Sequence, residues 1–191
     1  MSDHSSFLSI RTLTDALKAK LEAIRWVHDR QSEPAFQKVA TFDVRDLAVA
    51  LAELAITGDR VCLLVLGGEE FTNDVKGTDL HISHQVPFTL LLADRNLGDR
   101  QASFFGDQRT AGAVTLRDLI LGRDAHGTAN FLGCLFPDGS PRQVYIRPAE
   151  GEPFILNDHQ RQTLAGIAVW AVHCEAVGGA QQISLGRFPI F

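Results

Sequence analysis

Pairable cysteine is missing from this sequence. Cys62, Cys134 and Cys174 are odd in number and far apart, with no Cys-x-x-Cys among them. That excludes a disulfide framework and fits buried, reduced thiols of the kind a cytosolic protein keeps. Long apolar runs are also missing. Nothing approaches the roughly 20 residues needed to span a bilayer, and the longest candidate, residues 165–172, has only the length of a strand. There is no excess of positive charge: 18 Lys and Arg stand against 23 Asp and Glu, a net charge of −5. The basic residues are scattered, which excludes a broad nucleic-acid footprint. The opening MSDHSSFLSIRTLTD has no basic region followed by an apolar run, so no secretory signal is expected. Catalytic signatures are equally scarce. No Gly-x-Ser-x-Gly and no His-Glu-x-x-His occurs. Gly67-Gly68-Glu69-Glu70 lacks the Lys-Ser/Thr and the helix of a phosphate loop, and its carboxylates would repel phosphate.

What is present is a long alternating stretch, LHISHQVPFTLLLA, at residues 80–93. Leu80, Ile82, His84, Val86, Phe88, Leu90 and Leu92 fall on one side. His81, Ser83, Gln85, Pro87, Thr89 and Leu91 fall on the other. Period-two alternation is the mark of a half-buried β-strand, with one covered face and one available for other work. Pro87 has no N–H for a ladder, so it marks an edge, a bulge or a bend.

The rest of the chain is arranged around that strand. Residues 1–9 read as a loose polar lead. Thr12 and Asp15 read as a helix start, and Leu13, Leu17, Leu21 and Ile24 form an apolar stripe to about residue 27. Residues 28–41 read as a polar connection. Asp43 is the expected cap of a second helix with the stripe Leu47, Leu51, Leu54, closed by Gly58 as a left-handed C′ residue. VCLLVL at 61–66 reads as a strand buried on both faces, paired antiparallel with 80–93 through a polar turn at 69–79. Residues 94–109 read as a charged loop carrying Phe104 and Phe105, and 115–121 as a short helix. An apolar segment at 131–136 is followed by turn chemistry at 138–141. The runs 144–146 and 154–156, with their Glu-Gly-Glu tip, suggest a small hairpin or an extended arm. Residues 163–177 form a central strand ended by Gly178-Gly179. The tail at 178–191, with Phe188 and Phe191, is costly to expose and should pack on its own domain or on a neighbour. No linker or repeat divides the 191 residues, of which 45% are hydrophobic. The expected fold is one α/β (α+β) domain, with a mainly antiparallel sheet and helices packed on one face.

Few side chains converge on chemistry. His81 and His84 are three apart, which in a strand means opposite faces. His173 and Cys174 also alternate, so a metal site lacks its ligand spacing. Cys62 paired with a histidine is a conceivable nucleophile, but VCLLVL surrounds it with apolar neighbours, whereas a reactive thiol wants an exposed electropositive setting.

The order of TLTDALKAKLEAI, RVCLLVLGGEEF, HISHQVPFTLLLADR, TLRDLIL and the closing GIAVWAVHCEA resembles the tail terminator (tail completion) proteins of long-tailed bacteriophages, Mu-like prophages included. The resemblance implies a virion protein assembled in the host cytoplasm. It would form a homo-oligomeric ring, usually a hexamer, that caps the tail tube and docks it to the neck or head connector. It implies no catalysis and no cofactor. A ring needs one patch to meet a different patch on the next copy. The open sheet face, Phe104, Phe105, Phe188 and Phe191 are the candidate interface residues, and an acidic surface would keep a tube lumen from gripping DNA. Two other classes compete with this reading. One is a small enzyme using Cys62, His84 or His173. The other is a binding module that takes a peptide strand.

Overall fold

Leucines four residues apart place one apolar stripe on a helix, and Leu13, Leu17 and Leu21 are the buried residues of α1 (Ile10–Glu22). The computed structural model describes residues 9–28, 31–42, 46–76, 79–95, 120–122, 130–136, 144–153, 158–164 and 167–184. Helix α1 starts earlier than expected because Ser9, not Thr12, is its cap: Thr12 N–H donates to Ser9 Oγ at 3.2 Å. It also stops earlier, at Glu22. Ile24 completes the buried stripe from outside the helix. Arg25–His28 then forms β1, antiparallel to β2 (Gln31–Pro34). The supposed connection therefore holds these strands and also β3 (Lys38–Thr41), which runs parallel to β4 (Arg60–Leu66).

The second helix, α2 (Leu47–Ile56), is capped by Asp46, whose Oδ1 accepts from Ala48 N at 2.9 Å and Val49 N at 3.2 Å. Asp43, the expected cap, lies outside the described residues. Asp46→Ala should lower stability by about 1 kcal/mol, read as a lower urea midpoint at unchanged slope. The helix ends without a left-handed glycine: Thr57 is right-handed and its Oγ1 donates to Leu54 O at 2.6 Å. Among the described residues the positive-φ glycine is Gly133. Gly58 answers a spatial need instead, since a Cβ there would lie 2.9 Å from Gln37 Cβ.

Among the described residues the main sheet has seven strands, in the order β3, β4, β6 (Asp79–Asp94), β9 (Ala168–Ser184), β8 (Val144–Pro153) and β7 (Gly133–Cys134), with β5 (Glu70–Lys76) also paired to β6. Strand β5 (Glu70–Lys76) lies in what was expected to be a polar turn. With β4 it runs end to end along one side of β6 (Asp79–Asp94), so the expected antiparallel pair is a much longer hairpin. Between Leu66↔Phe88 and Glu70↔Gln85, three residues (67–69) oppose two (86–87), which is a β-bulge. Gly67 N donates to Pro87 O at 2.7 Å, so the proline's missing N–H faces this interruption rather than a regular ladder. A Cβ on Gly67 would come within 2.9 Å of that carbonyl oxygen, so glycine is needed for the close approach.

Strand β9 (Ala168–Ser184) is central, as expected, between β6 and β8 (Val144–Pro153). It begins later than expected, after the short helix α3 (Asp158–Thr163), and does not stop at Gly178-Gly179. The β6–β9 register shifts between Ile82↔Gln181 and His84↔Gly178, so the glycines lie at a bulge and the strand continues. The first part of the supposed tail therefore pairs at home, Gln181–Ser184 against Ile82–Asp79. Of the hairpin and the extended arm expected at 144–156, the extended form holds over the described part: Val144–Pro153 is one strand along β9, with a shift between Pro148 and Glu150 that bulges out Ala149. Residues 154–156 lie outside the described set. Strand β7 (Gly133–Cys134) is short and pairs with β8.

The α+β class and the mostly antiparallel sheet are as expected, but the helices divide between the two faces. Even-numbered β6 residues Val86, Phe88, Leu90 and Leu92 join α1, Phe36 and Phe131 in one buried cluster. Leu91 and Ala93 join Leu63, Ala171, Leu164 and α2 in another. Thus, among the described residues, α1 covers one face broadly and α2 one end of the other.

Candidate functional site

Beyond α2, the described residues leave the second face of the sheet partly open. Strand register brings Gln85, Pro87 and Thr89 of β6 beside Val177, Glu175 and His173 of β9. Tyr145 and Arg147 of β8 follow beside Val177 and Glu175. The β6 and β9 residues are half-buried, Arg147 is exposed, and Tyr145 keeps 46% of its surface. Neighbouring Val144 and Ile146 are buried on the other side, so β8 alternates cleanly between core and open face.

Two pairs order this surface. Thr89 Oγ1 lies 2.8 Å from His173 Nδ1, and Arg147 donates through a terminal nitrogen to Glu175 Oε2 at 2.8 Å. The second pair is exposed, so it sets geometry more than stability. Where the 67–69 bulge, Pro87 and the bulged Ala149 approach one another, a cavity of about 200 Å³ opens beside Thr89, His173 and Glu175. Bulges interrupt the close spacing of strands and re-aim side chains, which is why the hollow falls there. The chemistry on offer is hydrogen bonding and charge on a shallow surface.

The other sequence candidates do not gather here. His84 faces the α1 side, 4% exposed, with Nε2 2.9 Å from Glu69 Oε1 and its ring stacked 4.8 Å from Phe71. It ties the bulge and β5 to β6. Cys62 and Cys174 are buried on that same side, as expected of space-filling thiols. His173 and Cys174 do take opposite faces, the histidine half-buried and the cysteine in the core. Among the described residues no three His, Cys, Asp or Glu lie close enough to hold a metal. Phe104, Phe105, Phe188 and Phe191 lie outside the described residues. Lys20, read only as lying off the α1 stripe, donates from Nζ to Cys134 O at 2.9 Å, and burial lowers its pKa.

Burial raises the Cys174 thiol from 9.0 to about 12 and Glu175 beside it pushes the same way. Burial raises Cys62 as well. Neither supplies a thiolate near neutral pH. Because the unfolded chain releases these protons first, their contribution to stability is complete below pH 9 and is lost as pH rises from there toward 12. Mass-mapped alkylation of the native protein at pH 8 should therefore modify half-buried Cys134 and spare Cys62 and Cys174, which should react only with unfolding.

Pro87 does mark a bulge, one of the three alternatives read from the sequence, whereas Tyr145, the Arg147–Glu175 pair and the bulge at Ala149 were not singled out. For Tyr145 the signal was the V-Y-I alternation around it. No helix among the described residues is long and apolar enough to cross a membrane. No protein-family model matches the chain, and no curated protein matches it.

Proposed function

We propose that this chain is a structural assembly protein of the tail-terminator kind. Copies would meet through the open sheet face to form a ring that caps a phage tail tube and receives the neck connector. The observation that carries the reading is the second sheet face, which among the described residues α2 covers at one end and leaves otherwise open, with Tyr145 and Arg147 upon it. Tyrosine and arginine are enriched where protein interfaces draw their energy, because each offers a large contact area together with a polar end. Burial of Cys62 and Cys174 in the core supports the same reading by giving these thiols a packing role. The net charge of −5 suits a tube lumen that must let DNA pass.

The test uses purified tail-tube subunits of a long-tailed bacteriophage. Added during tube polymerisation, the protein should stop growth and sit as a ring at one end of each tube. Tubes that grow on unmarked, with the protein left in solution, would refute the role.

The cavity beside His173 and Thr89 favours a second reading, a module that binds a small polar group or a peptide side chain. On that reading His173→Ala abolishes binding of a captured ligand with the fold intact. On the assembly reading the same variant still caps tubes.

A further inference from the structure

Strand β5 lies at an edge of the sheet: among the described residues it is hydrogen-bonded to β6 alone. An edge strand presents a row of N–H and C=O groups that another strand can complete. Its sequence, EFTNDVK, is self-complementary about Asn73. Laid antiparallel on a second copy with Asn73 opposite Asn73, Glu70 meets Lys76, Phe71 meets Val75 and Thr72 meets Asp74, each pair occurring twice. Opposite charges and apolar pairs directly across two strands stabilise, and like charges destabilise.

We propose that two copies of this chain join through β5, antiparallel and centred on Asn73, so that their sheets run on as one across a two-fold axis. Such an axis stands normal to the sheet and makes a self-complementary contact. It keeps the α1-covered faces of the two copies on the same side. Phe71, 51% exposed on that side, gains Val75 of the second copy as a neighbour. Charges on an edge strand ordinarily discourage pairing. Here they select one register. A two-residue slip in one direction opposes Asp74 to Asp74, and a slip in the other opposes Glu70 to Asp74. Parallel pairing aligns Glu70 with Glu70 and Lys76 with Lys76. A one-residue slip sets the polar side of β5 against the Phe71 side. Only the Asn73-centred antiparallel register pairs unlike charges at both ends. The inference does not rest on the tail reading, because β5 flanks β6 on the side away from Tyr145, and pairing there leaves the open face uncovered.

Sedimentation of four samples tests it: wild type, Glu70→Lys, Lys76→Glu, and a 1:1 mixture of the two variants, with circular dichroism as the fold control. Wild type should pair, and each variant alone should pair roughly tenfold or more weakly, halving the mass of the species that wild type forms. The mixture should recover it, because unlike charges again oppose at both ends. If Lys76→Glu loosens the fold beside Asp79, mild oxidation of Asn73→Cys gives a second reading. Directly opposed antiparallel residues have Cα atoms about 4.5–5.5 Å apart, within disulfide reach, so a linked dimer should form. Phe71→Cys should not link, since its copies are about 13 Å apart along the strands. Wild-type monomer at every concentration, variants that pair as well as wild type, or equal linking at positions 71 and 73 would each overturn the proposal.

Discussion

Replacing Leu90 with alanine, or Leu91 with alanine, is expected to cost about 2–5 kcal/mol in each case. The two residues are adjacent on β6, so their side chains leave the strand on opposite faces. Both are nonetheless buried, at 0% and 1% exposure. Leu90 packs in the cluster under α1 and Leu91 in the cluster under α2. Each deletion leaves a cavity that the opposing helix can fill only in part, adding to the lost transfer energy. Gln85→Ala, on the same face as Leu91 but beyond the reach of α2, should change stability by no more than about 0.5 kcal/mol. Urea midpoints at unchanged slope read all three. A near-neutral Leu91→Ala would mean that α2 does not seal that end of the face.

Ending the chain after Gly179 is expected to lower the melting temperature by roughly 5–10 °C relative to a chain ended after Ser184. The difference isolates the last part of β9, which pairs Gln181–Ser184 with Ile82–Asp79. Without it the first residues of β6 keep, among the described strands, β5 alone, and the long hairpin loses its inner neighbour. Both truncations lack residues 185–191, so those residues do not enter the comparison. Identical melting of the two shortened chains would contradict the register of β9 beyond the glycine bulge.

These two predictions also show which parts of the fold were legible in the sequence. Period-two alternation at 80–93 gave β6, and the leucine spacing gave α1, because burial on one side imposes a period that composition displays. The two-sided burial of β4 and β9 showed as continuous apolar runs. Strand β5 did not show, because EFTNDVK is polar at an edge, where hydrogen bonds to β6 hold it without a deep core position. Strands β1 and β2 were hidden for a similar reason, and the buried Ile24 made helical spacing persist past the end of α1. Glycine misled once: Gly178-Gly179 reads as a stop, yet it lies at a bulge where the paired ladder is interrupted and resumes, whereas β4 does end before Gly67-Gly68. The site was less legible than the fold, because the Thr89–His173 and Arg147–Glu175 contacts depend on cross-strand register. Sequence spacing alone does not carry that register.

The account turns on the open face being where copies meet. Electron microscopy of the purified protein, with and without Tyr145→Asp, tests this most directly. Closed rings should fill the wild-type fields, and single subunits or β5-joined pairs the variant's, with melting temperatures alike. Wild-type protein that shows no ring even at high concentration, or rings that persist when the open face carries the new charge, would contradict it.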